Sequence, residues 1–429
     1  MKERAVNFIK SVMKKGAHYV ILGSFCSKFA AFFGSMFLVR ALTKNEYGIL
    51  SYYENIYGYF MLAAGFGLSA GILRYIIIIK ETGEKKWLYT YAIRRGETYN
   101  AVLVILFVCV CLLYPHPQEF LTEKMAGVML VLIIPFQYLI SLSLSTLRGL
   151  FDYVTFASLS FLTSLCLIVA RVVGARLNGL YGSVLYRLAG EILCACVCVF
   201  IVFFLRFRGV PSKAPSDFIR PFNVYSIQIM FTDGLWALFM LNDVFMISQL
   251  SGNATAIADY KVAYVIPANF SLISSSIGAF SAPYFTKKDS EGDTKWVKSN
   301  LRKLQLFTLL LMFCAAALCG LLAKPIIEIL FGHQYLNCIP IFRVLLVASV
   351  INNGFRYTTA NIYSAIGLQR KNLMIAGMGV IAQIIINSIA IPYYGALGVA
   401  FGSVGVQLLM SAALSLGMRQ YGFGVSASQ

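Results

Sequence analysis

The chain reads as an all-α polytopic membrane protein of about twelve transmembrane helices, set out as two six-helix lobes related by a parallel pseudo-two-fold repeat. Three observations predict this class. Hydrophobic residues make up 59% of the sequence and charged residues only 13%, against ~25% charged in soluble domains, and the mean hydropathy is +0.74. Apolar runs of the roughly 20 residues that a helix needs to cross a bilayer recur from end to end. The two halves also repeat one another.

Residues 1–15 carry Lys2, Arg4, Lys10, Lys14 and Lys15, with Val6, Ile9 and Met13 at helical spacing. This suits either a helix lying on an anionic leaflet or a cytosolic tail. The first long run, 19–38, exceeds a signal-peptide core and lacks a small-residue cleavage site, so it is expected to stay as an anchor. A second run, 49–72, follows after a short connection and completes a hairpin. Further spans are predicted at 97–114, 125–147, 154–173, 180–207, 224–250, 257–285, 304–322, 338–366, 373–391 and 397–418.

The Pro-bearing polar stretch RFRGVPSKAPSDFIRP, residues 206–221, falls at mid-chain. It predicts an N-lobe over 1–210, a cytosolic linker over 211–222 and a C-lobe over 223–429. The lobes look related in sequence. ALTKNEYGILSYY after the first span has a weak counterpart in QLSGNATAIADYKVAY after the seventh, and Gly149-Leu150 has one in Gly367-Leu368. GLYGSVLYRLAGEIL, starting at Gly179, aligns with GALGVAFGSVGVQLL, starting at Gly395. Six helices per copy give both copies the same orientation, and a substrate is expected to pass between them.

The formal charge of +18 would suggest nucleic acid in a soluble protein. Here the basic residues punctuate hydrophobic spans, and nucleic acid is excluded as a partner. One side of the predicted topology collects the basic tail, Lys80, Lys85, Lys86, Arg94, Arg95, Arg148, Arg206, Arg208, Lys213, Arg220, Lys287, Lys288, Lys295, Lys298, Arg302, Lys303, Arg370, Lys371 and Arg419. The other side has only Arg40, Lys44, Lys124, Arg176 and Lys324. This asymmetry predicts that both termini are cytosolic. The ten cysteines lie mostly inside apolar runs, and pairs two residues apart on a helix face different ways. They are read as small hydrophobes, with no metal and no cofactor expected.

Several stretches resemble the Wzx-type polysaccharide flippases, relatives of the lipid II flippase and of the multidrug and toxin extrusion pumps. They are ALTKNEYGILSYYENIYGYFMLAAGFGLSAGILRY, LRGLFDY, NDVFMISQLSGNATAIADYKVAY, KPIIEILFGHQYLNCIPIFRVL and IPYYGALGVAFGSV. The P-x-x-x-x-L-F-G and I-P-x-Y-G-x-x-G elements are its most specific parts. The resemblance implies a transporter of the bacterial cytoplasmic membrane. Such proteins move undecaprenyl-pyrophosphate-linked oligosaccharide repeat units from the inner to the outer leaflet by alternating access, for O-antigen, lipopolysaccharide or related surface polysaccharide. A polysaccharide polymerase is then a candidate partner. Lipid II flippases carry two more spans, which disfavours that relative. Family members often have Arg after the span-seven Asp, where this chain has Val244.

A pyrophosphate headgroup needs fixed positive groups in the low-dielectric core. Lys28, Arg187, Lys261 and Arg356 are the substrate-binding candidates within spans, with Arg74 and Arg40 as guides at the ends of the first hairpin. Each has a structural alternative. Arg187 can pair with Glu191 one turn on, and Asp243 and Lys261 are expected to bridge at similar depth. Lys28 and Arg356 show no acidic partner at equal depth and carry most weight. Asp243, Asp233, Glu191 and Glu54 are the acids that could couple transport to H+ or Na+. Tyr52, Tyr53, Tyr57 and Tyr59 are weaker candidates for stacking on sugar rings. Two other functions compete. A cation-coupled multidrug exporter would want an acidic or aromatic cavity, and a membrane enzyme of polysaccharide assembly would want a large outer loop with paired carboxylates.

Overall fold

The structure, a computed structural model, describes residues 17–114, 116–214 and 218–421. The predicted N-terminal amphipathic segment lies outside the described residues. Among the described residues, seven helices are long and apolar enough to cross a membrane, and two further pairs, each bent by 43°, bring the number to nine. One of the seven, Tyr153–Arg206, runs for 54 residues. At 1.5 Å per residue it would be about 80 Å long, more than twice a bilayer. It breaks at Asn178 (φ −138°) and Gly179 (φ 55°, ψ −137°) and folds back as two spans. A Cβ on Gly182 would lie 2.1 Å from the Gly174 carbonyl oxygen, and one on Gly190 would lie 3.3 Å from the Ala170 Cβ. Only a tight antiparallel hairpin brings those residues together. With Ala17–Ala41 and Ile219–Ser251, the set reaches twelve.

By internal contacts the chain divides into two units, Met1–Leu241 and Asn242–Gln429. The dividing line falls within the seventh span because that helix's first half packs on the second. Phe222 and Tyr225 lie edge-on to Tyr75 at 5.4 Å and 5.8 Å, and Asn55 Nδ2 donates to the Leu241 carbonyl at 2.9 Å.

In the first unit, Thr43 starts the second span with a capping box closed by Glu46, a reciprocal use of two otherwise orphaned donors. The span then breaks between Lys44–Met61 and Leu68–Ile78, with Gly65, Phe66 and Gly67 all in the left-handed region. An open backbone N–H at membrane depth is costly. Asn100 Oδ1 accepts the Gly65 N–H at 2.8 Å, so a buried amide on the third span holds the break. Beneath it a core of Leu68, Ile72, Tyr89, Tyr138, Leu142, Cys194, Cys198 and Phe222 is closed to solvent, and Cys194 and Cys198 serve there as small apolar residues.

The second unit follows the same plan from Asn253, whose side chain caps Ala254–Asn269. The P-x-x-x-x-L-F-G element forms the helix Ala323–Phe331, which ends at Gly332 with φ 102°. The tenth span contains a π-helical turn, Asn352–Arg356. The I-P-x-Y-G-x-x-G element makes the turn between the last two spans at Gly395, with φ 55° and ψ −136°. This is the backbone conformation of Gly179, its aligned partner, and it is one that a side chain disfavours. The repeat seen in sequence is thus visible in dihedral angles.

Candidate functional site

In the first unit a charged cluster forms around the hairpin at Gly179. Arg171 lies eight residues before that glycine and Arg187 eight residues after it. On antiparallel helices the two therefore reach one depth, about 12 Å below the turn. Glu54 on the second span sits between them. Its Oε1 accepts from Arg171 Nη2 at 2.5 Å and from Arg187 Nη1 at 2.8 Å. Arg187 also approaches Glu191 Oε1 at 3.7 Å, and its guanidinium lies 5.2 Å from the centre of the Tyr57 ring. The Gln137 side-chain amide lies 2.9 Å from both Glu191 oxygens and donates to them when its nitrogen is turned toward the acid.

Two arginines and two glutamates balance in formal charge, which is what permits four ionisable groups at this depth. They are unequally accessible. Glu191 is 1% exposed, whereas Glu54 is 27%, Arg171 23% and Arg187 14% exposed. The face carrying Glu54 and the two guanidiniums is therefore open, and the Nε of Arg171 is left without a partner.

The second unit holds its acid differently. Asp243 is buried and accepts from Tyr260 Oη at 2.5 Å, Gln383 Nε2 at 2.7 Å and Asn387 Nδ2 at 2.9 Å. The expected bridge from Lys261 does not form. Lys261 is the neighbour of Tyr260 in sequence, so it leaves the helix about 100° away, and it is Tyr260 that reaches the carboxylate. The two amides turn their nitrogens to this acid, and their own oxygens are buried without donors.

The remaining predicted residues are dispersed. Lys28 is exposed near the middle of the first span and has neither a hydrogen bond nor an ion pair among the described residues. Phe29, Phe33 and Phe37 form an exposed stripe on that helix. By helical spacing, Lys28 shares a different face with Ala31 and Ser35. Arg40 is exposed in the last turn of the same helix. Arg74 lies over the Tyr225 ring at 4.5 Å. Lys261 is half-buried. Arg356 is 3% exposed and donates from Nε to Asn352 Oδ1 at 2.7 Å, across the π-helical turn. Asp233 lies in the seventh span, and its side chain falls outside the described residues.

Tyr52, Tyr53 and Tyr57 are buried rather than open to sugar rings. Tyr52 bonds to His116 Nδ1 at 2.6 Å and Tyr53 to the Phe120 carbonyl at 2.8 Å. Of the predicted residues, the structure brings Arg187, Glu54 and Glu191 into one cluster. Arg171, Gln137, Tyr260, Gln383 and Asn387 complete the two clusters and were not singled out from sequence. The available signal was symmetry about Gly179 and Gly395, which equates residues at fixed distances from each turn.

The sequence profile of the family described as polysaccharide biosynthesis protein matches residues 13–289. An uncharacterized membrane protein of Methanocaldococcus jannaschii is 21% identical over 430 residues, covering 94% of this chain and 82% of its own length. Among solved structures, an inward-facing multidrug resistance MATE transporter of the MOP superfamily superposes with a TM-score of 0.75. It is 14% identical, and the match covers 94% of this chain and 96% of that one. The lipid II flippase MurJ in its inward closed conformation gives 0.73 at 16% identity, with 93% and 87% covered. A MOP superfamily transporter from Pyrococcus furiosus, described as having a binding pocket of reverse polarity, gives 0.65 at 15% identity, with 98% and 97% covered. At these identities the structural likenesses establish the shared fold.

Proposed function

This chain belongs to the polysaccharide biosynthesis protein family, and from that premise we propose that it flips a lipid-linked oligosaccharide across the cytoplasmic membrane. The substrate is an undecaprenyl-pyrophosphate-linked repeat unit, carried from the inner to the outer leaflet by alternating access and passed on to a polysaccharide polymerase. The bias of basic residues supports cytosolic termini. No step makes or breaks a covalent bond.

One observation carries the reading. Lys28 sits at mid-span, exposed, on a face apart from the phenylalanine stripe. An ammonium at that depth costs at least ~2.5 kcal/mol against lipid and is retained where it meets water or an anion. A pyrophosphate headgroup supplies that anion, whereas an organic cation would be repelled. Arg356, Arg187 and Lys261 extend the basic path, with Arg74 and Arg40 near its ends. A membrane potential of ~100 mV, negative inside, favours outward movement by ~2.3 kcal/mol per negative charge, or ~4.6 kcal/mol for a doubly charged head.

Asp243 is the best placed of the coupling candidates whose side chains are described. Its buried carboxylate is held by three neutral donors, Tyr260, Gln383 and Asn387, and suits H+ or Na+, hard cations that take oxygen ligands. Glu54 and Glu191 are already held by arginines. The test is surface polysaccharide in cells carrying Lys28→Ala or Arg356→Ala. Both variants are expected to reach the membrane yet lose polymer and accumulate lipid-linked repeat units, and Lys28→Arg is expected to restore part of it. Normal polymer from Lys28→Ala would overturn the reading.

A further inference from the structure

The connection after the sixth span folds back on the first turns of the third, Thr82–Leu113. Lys86 Nζ donates to the carbonyl oxygens of Val210 at 2.7 Å and Phe207 at 3.3 Å. The Lys213 backbone N–H donates to the Gly83 carbonyl at 3.2 Å, and its Nζ pairs with Glu81 at 2.8 Å. Ser212 of this strap borders a half-open cavity of about 570 Å³. The opposite wall is one face of the third span, with Trp87, Tyr91, Arg94, Arg95 and Thr98.

Trp87 and Tyr91, one turn apart, stack with ring centroids 5.1 Å apart and planes 11° from parallel. Tyr91 is fixed by Asn223, whose Nδ2 donates to its hydroxyl at 2.8 Å. Arg94 and Arg95 are exposed and make no ion pair among the described residues. The acid that closes the strap, Glu81, is already held by Lys213. Lys86 also lines the cavity and keeps its charge while donating to neutral carbonyls, so it and the two guanidiniums make the cavity positive.

We propose that this cavity binds a phosphodiester or pyrophosphate headgroup at the membrane surface. Arg94 and Arg95 would fork onto phosphate oxygens, while the Trp87–Tyr91 pair packs against the ring or glycerol carbons beyond them. The assignment to the inner leaflet rests on the orientation proposed above. The binding chemistry does not, and neither does it require Lys28. Positive charge with interfacial aromatics also anchors membrane proteins without binding anything. What distinguishes this place is a half-open volume bordered by two guanidiniums that make no ion pair among the described residues.

The experiment uses full-length protein in phosphatidylcholine nanodiscs with Trp236→Phe and Trp296→Phe, leaving Trp87 as the fluorescent reporter. Farnesyl pyrophosphate, inorganic pyrophosphate and phosphatidylglycerol are titrated in turn. A saturable change in Trp87 emission is expected, weakened at least tenfold by Arg94→Gln with Arg95→Gln, weakened less by the corresponding Lys pair, and reduced by added salt. Farnesyl pyrophosphate at least tenfold tighter than phosphatidylglycerol assigns the site to the loaded carrier. Equal affinity assigns it to bulk anionic lipid, and inorganic pyrophosphate alone sufficing shows that the headgroup carries recognition. No saturable change with any probe, or a change untouched in both double variants, would overturn the proposal. Binding here together with normal polymer from Lys28→Ala would sink the transport reading and leave this site standing.

Discussion

The hairpin of spans five and six and the hairpin of spans eleven and twelve share one backbone and differ in chemistry. Both turn at a glycine with φ 55°, ψ −137° in one and −136° in the other. In both, a Cβ on the glycine three residues later would strike a carbonyl of the preceding helix, Gly182 against Gly174 and Gly398 against Ala390. Yet Arg171, Arg187 and Glu191 of the first correspond to Asn387, Ser403 and Gln407 of the second. The first hairpin holds Glu54 with two guanidiniums, and the second holds Asp243 with two neutral amides, Gln383 and Asn387, joined by Tyr260 of the eighth span. Fold and function thus separate. The glycine turns set depth and register, and the residues at fixed distances from them decide whether the local acid is met by guanidiniums or by neutral amides.

The largest expected effect comes from breaking the charged side of this comparison. Arg187→Ala strands Glu191, which is closed to solvent, and truncating one partner of a buried pair costs about 3–5 kcal/mol. We expect a marked fall in the melting temperature of the purified protein. Arg187→Ser with Glu191→Gln, which imports the second hairpin's residues, is expected to recover most of the loss. Equal melting temperatures for the single and double variants would show that the charges do not interact.

On the neutral side, Asp243→Asn keeps the shape and removes the charge. Wild-type melting is expected to rise with Na+ or shift with pH, by about 2.7 kcal/mol at a cation concentration a hundred times the dissociation constant. Asp243→Asn is expected to abolish that response, while Glu54→Gln leaves it intact. A response lost in Glu54→Gln instead would move the cation site to the first unit.

A smaller effect is expected at His116, in the connection between the third and fourth spans. It bridges Tyr52 and the Cys111 carbonyl at 3.0 Å, and burial holds its pKa below the usual 6.5, with Lys124 acting in the same direction. The unfolded chain therefore binds the proton more readily. The imidazole's contribution is full above about pH 6.5 and is lost as pH falls through that value toward its folded pKa. Melting at pH 7.5 and pH 5 is expected to differ less in His116→Gln than in the parent. The smallest effect is at Arg74, where Arg74→Ala removes a cation–π contact worth about 0.5–1 kcal/mol.

Hydropathy made the twelve spans legible because crossing a bilayer imposes a length and a composition on every helix. The alignment of Gly179 with Gly395 was legible for a related reason: a left-handed turn asks for glycine wherever it recurs. The break at Gly65 to Gly67 was signalled only as a cluster of glycines, since its support is an amide on another helix, Asn100. Arg171 and Tyr260 escaped because one sequence does not give the rotation of neighbouring helices. A shift of one residue, about 100°, decided that Tyr260 and not Lys261 meets Asp243. The buried Tyr52 and Tyr53 show the same limit, as their hydroxyls are satisfied by His116 and a carbonyl that no local pattern foretold.

The central claim is that a cation at mid-span serves an anionic lipid headgroup. Its most direct test is the flipping of a fluorescent undecaprenyl-pyrophosphate oligosaccharide in proteoliposomes under an imposed potential, comparing the parent with Lys28→Ala and Lys28→Arg. The account predicts flipping by the parent that quickens as the donor side is made negative, a loss of at least tenfold in Lys28→Ala, and partial recovery in Lys28→Arg. Flipping by Lys28→Ala at the parental rate would contradict it.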